Sequence, residues 1–197
     1  MFCKGRSFPI CALLMIYTSL TIIRKLPSNK KLQTVFINGL LFGIGYFGSS
    51  LYWVSESFYC VGLNKFAYPA VIFLTLYLSL YFGLTFLSAI LFSRSRLELV
   101  FLFPVFWVCF EYIRGFMFTG FPWNLIGYTS YDIPYFAQIA DSIGAYGVSF
   151  IFVLFISFMT YKKTFIFGIL GFGITVFYGY YKINYFTDYL HPGKDYS

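Results

Sequence analysis

The sequence predicts an all-α fold: a polytopic transmembrane bundle of about six helices. Three observations carry this prediction. Of the 197 residues, 59% are hydrophobic and 11% charged, whereas ordinary soluble domains carry about 25% charged residues. So few polar side chains cannot cover a surface that faces water. The apolar residues also collect in runs near the ~20 residues that a helix needs to cross a ~30 Å hydrocarbon core. Finally, those runs are continuously apolar rather than alternating, which favours helices over the strands of a membrane barrel.

The first run covers residues 8–23. Its basic start resembles a signal peptide, but Arg24-Lys25-Leu26-Pro27 follows where a small-residue cleavage site would be needed, so it reads as a membrane helix. Runs at 35–54, 68–92, 97–113, 143–161 and 164–181 follow. Tyr and Trp gather at their ends, as at Tyr52 and Trp53 and again at Tyr178, Tyr180 and Tyr181. Amphipathic rings favour the headgroup level, which supports these boundaries. No internal repeat, low-complexity linker or soluble domain is visible. Residues 1–181 therefore read as one transmembrane domain with an irregular outer segment at 114–142, and residues 182–197 as a short tail.

The net charge of +7 is not spread along one face but placed in short clusters between apolar runs. Such clusters are topology signals, and nucleic acid is not an expected partner. Arg24, Lys25, Lys30 and Lys31 follow the first run, Arg94 and Arg96 the third, and Lys162 and Lys163 the fifth. With alternating helices these loops share one face, which the positive-inside rule makes cytoplasmic. Segments 55–67 and 114–142 and both termini then lie on the outer face. Lys4 and Arg6 oppose this orientation, because they would stand outside beside the first helix.

Cys3, Cys11, Cys60 and Cys109 show no C-x-x-C spacing, and the single histidine is His191. Tetrahedral zinc needs several such ligands together, so no metal site is expected, and no cofactor. Cys11 and Cys109 lie inside apolar runs, where a thiol is most simply a small buried hydrophobe.

The residues able to carry chemistry cluster after the fourth run. Glu111 and Arg114 are three positions apart and so share a helix face. Two readings suit charges at this depth: a self-neutralising pair that anchors the helix, or a headgroup pocket in which Arg114 offers its planar donor fork. Gly120-Phe121-Pro122-Trp123-Asn124 follows, where glycine and proline prevent a regular helix. Irregular backbone near membrane depth is tolerated only against protein or a polar cavity. Trp123 is then either a belt residue or the lining of a lipid-access groove. Asp132-Ile133-Pro134 reads as a turn, Gln138, Asp141 and Ser142 as caps of the next helix, and Gly144 and Gly147 as sites of close helix packing.

Residues 110–150, "FEYIRGFMFTGFPWNLIGYTSYDIPYFAQIADSIGAYGVSF", resemble the signature of bacterial apolipoprotein N-acyltransferase. The shared pattern is a Glu, an Arg-Gly pair, Gly-Phe-Pro-Trp, Gly-Tyr, then a Pro, an Ala-Asp helix start and Gly-x-x-Gly-Val-Ser-Phe. "GLLFGIGYFGSSLYWV" (39–54) and "LYLSLYFGLTF" (76–86) are similar to the family's third and fourth membrane helices. The resemblance covers residues 8–181.

The resemblance implies an enzyme of the bacterial inner membrane that finishes lipoprotein maturation. It implies as partners a membrane phospholipid, the acyl donor, and the diacylglyceryl-modified N-terminal cysteine of a lipoprotein, whose α-amino group accepts the chain. It further implies a thioester intermediate on a Glu-Lys-Cys triad in a nitrilase-like periplasmic domain. Glu111, Arg114, Trp123, Asn124 and Tyr128 carry over as candidates for contact with lipid in a cavity.

After residue 181 only "KINYFTDYLHPGKDYS" remains, which holds no such triad, and the family's first membrane helix has no counterpart. Cys60 stands in an outer loop and Cys109 in an apolar run, neither with an acid and an amine to generate a thiolate. The expected reading is a truncated membrane domain with no catalytic residue, inactive alone, with a separately encoded nitrilase-like half as a possible partner. The alternatives are a non-catalytic lipid-binding or scaffold protein and, less well supported, a small transporter subunit, for which Glu111 and Arg114 sit too near one face.

Overall fold

The computed structural model describes residues 31–118 and 120–190 of the chain. All regular structure among them is helical, in the order α1 (Lys31–Ser50), α2 (Val54–Cys60), α3 (Asn64–Phe92), α4 (Arg96–Phe116), a 3-10 helix (Ile126–Asp132), α5 (Pro134–Ala137), α6 (Ala140–Met159) and α7 (Phe165–Leu190). Five of these, α1, α3, α4, α6 and α7, are long and apolar enough to cross a membrane. The all-α membrane bundle expected from composition is therefore the fold, and the chain is a multi-pass membrane protein. The first apolar run, 8–23, lies outside the described residues.

Each long helix packs on the next, α1 on α3, α3 on α4, α4 on α6 and α6 on α7. Large apolar side chains cover the outside of the bundle, among them Ile72, Phe73, Phe101, Ile174 and Phe177. Lipid solvates such a surface where water would not. Inside, Phe42, Tyr46, Phe47, Phe82, Phe86, Phe103 and Trp107 form a buried aromatic core. Phe42 meets Phe82 edge-on at 4.9 Å between centroids, and Phe82 lies 4.7 Å from Trp107. Close approach of α1 to α3 rests on small residues: a Cβ on Gly39 would fall 2.6 Å from Phe82 O, and one on Gly43 2.7 Å from Ser79 Cα. Helix contacts in lipid are built this way, because there is no hydrophobic drive to bring bulky faces together.

Several boundaries differ from the sequence reading, each for a local reason. The second run stops at Ser50 rather than at residue 54, where the Ser49 and Ser50 hydroxyls turn back onto carbonyls of the last turn. Segment 55–67 is largely helical, as α2 and the first turn of α3. The fourth helix reaches Phe116 and opens with a capping arrangement in which Ser95 Oγ accepts from Glu98 N at 3.1 Å. The sixth run continues in one helix to Leu190, so residues 182–190 are helical rather than a tail. This C-terminal half of α7 is tied to α6 by the Lys182–Asp141 ion pair and by contact of Tyr178 with Ser142.

Three further expectations need correction. No side chain caps α6: Ser142 Oγ donates to Asp141 Oδ1, and Gln138 Nε2 donates back to Pro134 O. Gly144 does not mediate close packing, since nothing lies within 4 Å of a Cβ placed on it. It has φ +68 and ψ 177 and kinks α6 one turn after its start. Cys109 is not buried but exposed on the outside of α4, like Cys60 at the end of α2.

Candidate functional site: a buried polar clasp beneath an aromatic rim

The last turns of α4 place Trp107, Glu111 and Arg114 on one face, spaced four and three residues apart, directed into the bundle. Glu111 is 3% exposed and Arg114 2%. Charges so deep in an apolar bundle are costly unless hydrogen-bonded. Their partners come mainly from the irregular backbone that follows α4.

Glu111 Oε1 accepts from the backbone N–H of Ile126 at 2.8 Å and from Trp107 Nε1 at 3.1 Å. Arg114 Nη2 donates to the carbonyl of Asn124 at 3.4 Å, and the Arg114 carbonyl accepts from Phe121 N at 2.9 Å. The guanidinium lies over Phe47, 5.1 Å from the ring centroid, with Phe121 at 5.9 Å, two cation–π contacts. Asn124 adopts φ +56, a left-handed conformation that Asn tolerates better than most residues. In that conformation its carbonyl accepts from Tyr46 Oη at 3.1 Å, and its Nδ2 donates to Ser50 Oγ at 2.8 Å. Gly127 N donates to Ser149 Oγ at 3.0 Å. Segment 121–127 is thus pinned to α1, α4 and α6 through polar bonds at depth.

The self-neutralising pair is not what the structure contains. Glu111 and Arg114 form no direct ion pair; the one found among the described residues joins Lys182 and Asp141. Both instead hold the rim backbone. Between α1, α3 and α4 a cavity of ≈ 10 Å³ is lined by Phe47, Tyr81, Phe82, Thr85, Trp107, Phe110, Glu111 and Arg114.

Of the five residues singled out from sequence, Glu111, Arg114 and Asn124 come together in this clasp. Trp123 does not join them. It is 56% exposed, with its ring 6.0 Å from Trp53 and 5.5 Å from Phe121, in an aromatic patch at the rim. Tyr128 is 53% exposed on the outside of the 3-10 helix. Sequence reasoning missed Tyr46, Ser50, Trp107 and Ser149. A signal existed for three of them: Trp107 stands one helical turn before Glu111, and Tyr46 and Ser50 sit one turn apart at the end of an apolar run.

The clasp holds neither of the described cysteines, Cys60 and Cys109, which lie exposed outside it. No group of three or more His, Cys, Asp or Glu among the described residues could hold a metal. What the arrangement can do is fix a rigid, aromatic-edged rim to one end of a lipid-embedded bundle.

Bundle and rim together define a polytopic helical membrane domain with a structured non-helical segment at one end. A family model described as "Apolipoprotein N-acyltransferase N-terminal domain" matches residues 5–159, which hold four of the five spanning helices and the whole rim. The chain belongs to this family. It is 36% identical to the apolipoprotein N-acyltransferase of Pasteurella multocida over 127 residues, covering 64% of this chain and 24% of that protein. Against the enzyme of Rhizobium rhizogenes it is 30% identical over 164 residues, 78% of this chain and 31% of that protein. Against that of Coxiella burnetii it is 39% identical over 125 residues, 60% and 25% respectively. The chain thus spans about a quarter to a third of the length of these relatives.

Proposed function

We propose that these 197 residues supply the lipid-facing bundle of an apolipoprotein N-acyltransferase, receiving a phospholipid whose acyl chain is destined for a lipoprotein N-terminus. The observation that carries the reading is the rim: Trp123 is held exposed beside Trp53, on a backbone fixed by Asn124, Arg114 and Glu111. An exposed indole pair at a helix end suits the headgroup level of a bilayer, where a ring can contact both acyl chain and headgroup. The rim faces the outer side of a bacterial inner membrane, because Arg94, Arg96, Lys162 and Lys163 stand at the opposite helix ends.

The bundle receives the lipid but does not itself cleave it. Acyl transfer through a thioester needs a thiolate generated by neighbouring basic and acidic groups, and the described cysteines, Cys60 and Cys109, are exposed and stand outside the buried clasp. Two measurements test the proposal. Native mass spectrometry of the full chain released from lipid nanodiscs should show retained phospholipid, reduced several-fold by Trp123→Ala. In cells depleted of their own enzyme, expression of this chain alone should leave lipoprotein N-termini diacylated. Equal lipid retention by the Trp123→Ala chain overturns the lipid-contact assignment, and triacylated product from the chain alone overturns the assignment of the chemistry elsewhere.

A further inference from the structure

We propose that the cavity between α1, α3 and α4 is a binding site for one ordered water molecule, which donates to Glu111 Oε2 and accepts from Arg114 Nη1. The two residues have opposite charges, share a helix face and are almost fully buried, yet they make no direct ion pair. Each uses one terminal atom on the rim, Glu111 Oε1 toward Ile126 N and Arg114 Nη2 toward the Asn124 carbonyl. The other terminal atom of each, Glu111 Oε2 and Arg114 Nη1, has no hydrogen-bond partner in the protein. One is an acceptor and the other a donor. A buried charged group left short of a partner costs about 1–3 kcal/mol or more, and water is the smallest molecule able to satisfy both polarities.

Size sets the occupant. The cavity of ≈ 10 Å³ is lined by both residues, and about 10–15 Å³ is the least that holds one water. A phosphate, a carboxylate or an ester group does not fit. A cation is disfavoured by the Arg114 guanidinium in the lining. The rings of Phe47, Phe82, Trp107 and Phe110 line the site, while the polar side chains of Tyr81 and Thr85 distinguish it from apolar cavities that stay dry. Ser149 Oγ accepts from Gly127 N at 3.0 Å, which leaves its own proton for the nearby Glu111 carboxylate, so the water adds to that contact rather than replacing it.

The consequence is positional. A water between them holds the charges apart and leaves each aimed at backbone. Glu111 and Arg114 are thus positioning residues whose spacing the water sets. This inference rests on the cavity and its lining, and stands whether or not the rim contacts phospholipid.

The test uses the full chain in lipid nanodiscs. A structure at water-resolving resolution should show a density peak within hydrogen-bonding distance of both Glu111 Oε2 and Arg114 Nη1. An empty cavity, or a direct contact between the two side chains, overturns the proposal. Radiolytic labelling in ¹⁸O water gives an independent reading, since a bound water labels the side chains around it. Trp107 and Tyr81 should take up label, and Thr85→Ile, which replaces a hydroxyl with an ethyl group and so fills the cavity, should lower that uptake at least threefold while labelling of exposed Trp123 stays unchanged. Undiminished uptake at Trp107 in a folded Thr85→Ile chain also overturns the proposal, and if that variant does not fold, the density of the unaltered chain decides.

Discussion

Glu111 Oε1 accepts the backbone N–H of Ile126 at 2.8 Å, so a buried carboxylate on a membrane helix holds the end of a loop fifteen residues further on. Removing that acceptor strands an N–H and leaves Arg114 buried without its counter-charge. Glu111→Ala should therefore cost about 3–5 kcal/mol of unfolding free energy in detergent or nanodiscs, from the stranded donors and the uncompensated buried charge together. Glu111→Gln keeps an amide oxygen for Ile126 and Trp107 and should cost less than half as much. Equal losses for the two substitutions would show that the charge, which both remove, matters here rather than the acceptor.

Asn124 separates two roles that one side chain plays. Its φ of +56 is a backbone requirement, and its Nδ2–Ser50 Oγ bond at 2.8 Å is a side-chain contribution. Asn124→Ala loses the bond and strains the backbone, and should destabilise by about 2–3 kcal/mol, from ~1 kcal/mol for the bond and ~1–2 for the left-handed conformation. Asn124→Gly relieves the strain but not the bond, so it should recover about half. Chemical unfolding of the two variants side by side measures the split.

How much of this was legible in the sequence depends on which force fixed each feature. Spanning helices were legible because lipid demands long apolar runs, and the five found among the described residues correspond to runs marked in advance. Their ends were less legible, because hydroxyls of Ser49 and Ser50 or an ion pair such as Lys182–Asp141 decide them at a distance that periodicity does not report. The site divides in the same way. Glu111 and Arg114 stood out as charges in an apolar helix, but their true partners, Ile126 N and the Asn124 carbonyl, are backbone atoms with no signature in side-chain identity. Gly144 read as a packing site because glycine serves close approach and positive φ equally well, and only coordinates distinguish the two.

The α1–α3 contact predicts a contrast between glycines on one helix. A Cβ on Gly43 would lie 2.7 Å from Ser79 Cα, whereas one on Gly48 meets only Thr75 Cγ2 at 4.0 Å. Gly43→Ala must push two backbones apart and should cost about 1–3 kcal/mol, the range for overpacking. Gly48→Ala enters open space within a helix and should be neutral or slightly stabilising, because alanine restricts the unfolded chain. Thermal unfolding of both variants in the same detergent reads the difference.

The three tryptophans allow the rim to be distinguished from the core by spectroscopy. Trp107 is 1% exposed, with its indole N–H on Glu111, while Trp53 and Trp123 are 40% and 56% exposed and face each other at the rim. In nanodiscs with brominated acyl chains, the emission of a chain retaining only Trp123 should be strongly quenched by bromines near the headgroup and progressively less by bromines deeper in the bilayer. A chain retaining only Trp107 should be quenched weakly at every depth, since core side chains stand between it and the lipid. Trp53→Phe in the presence of Trp123 should raise the quenching of Trp123, because it removes part of the ring that covers one face of the indole. Strong quenching of Trp107 would mean that α3 and α4 part far enough to admit an acyl chain, and the enclosed clasp would then have to be an opening one.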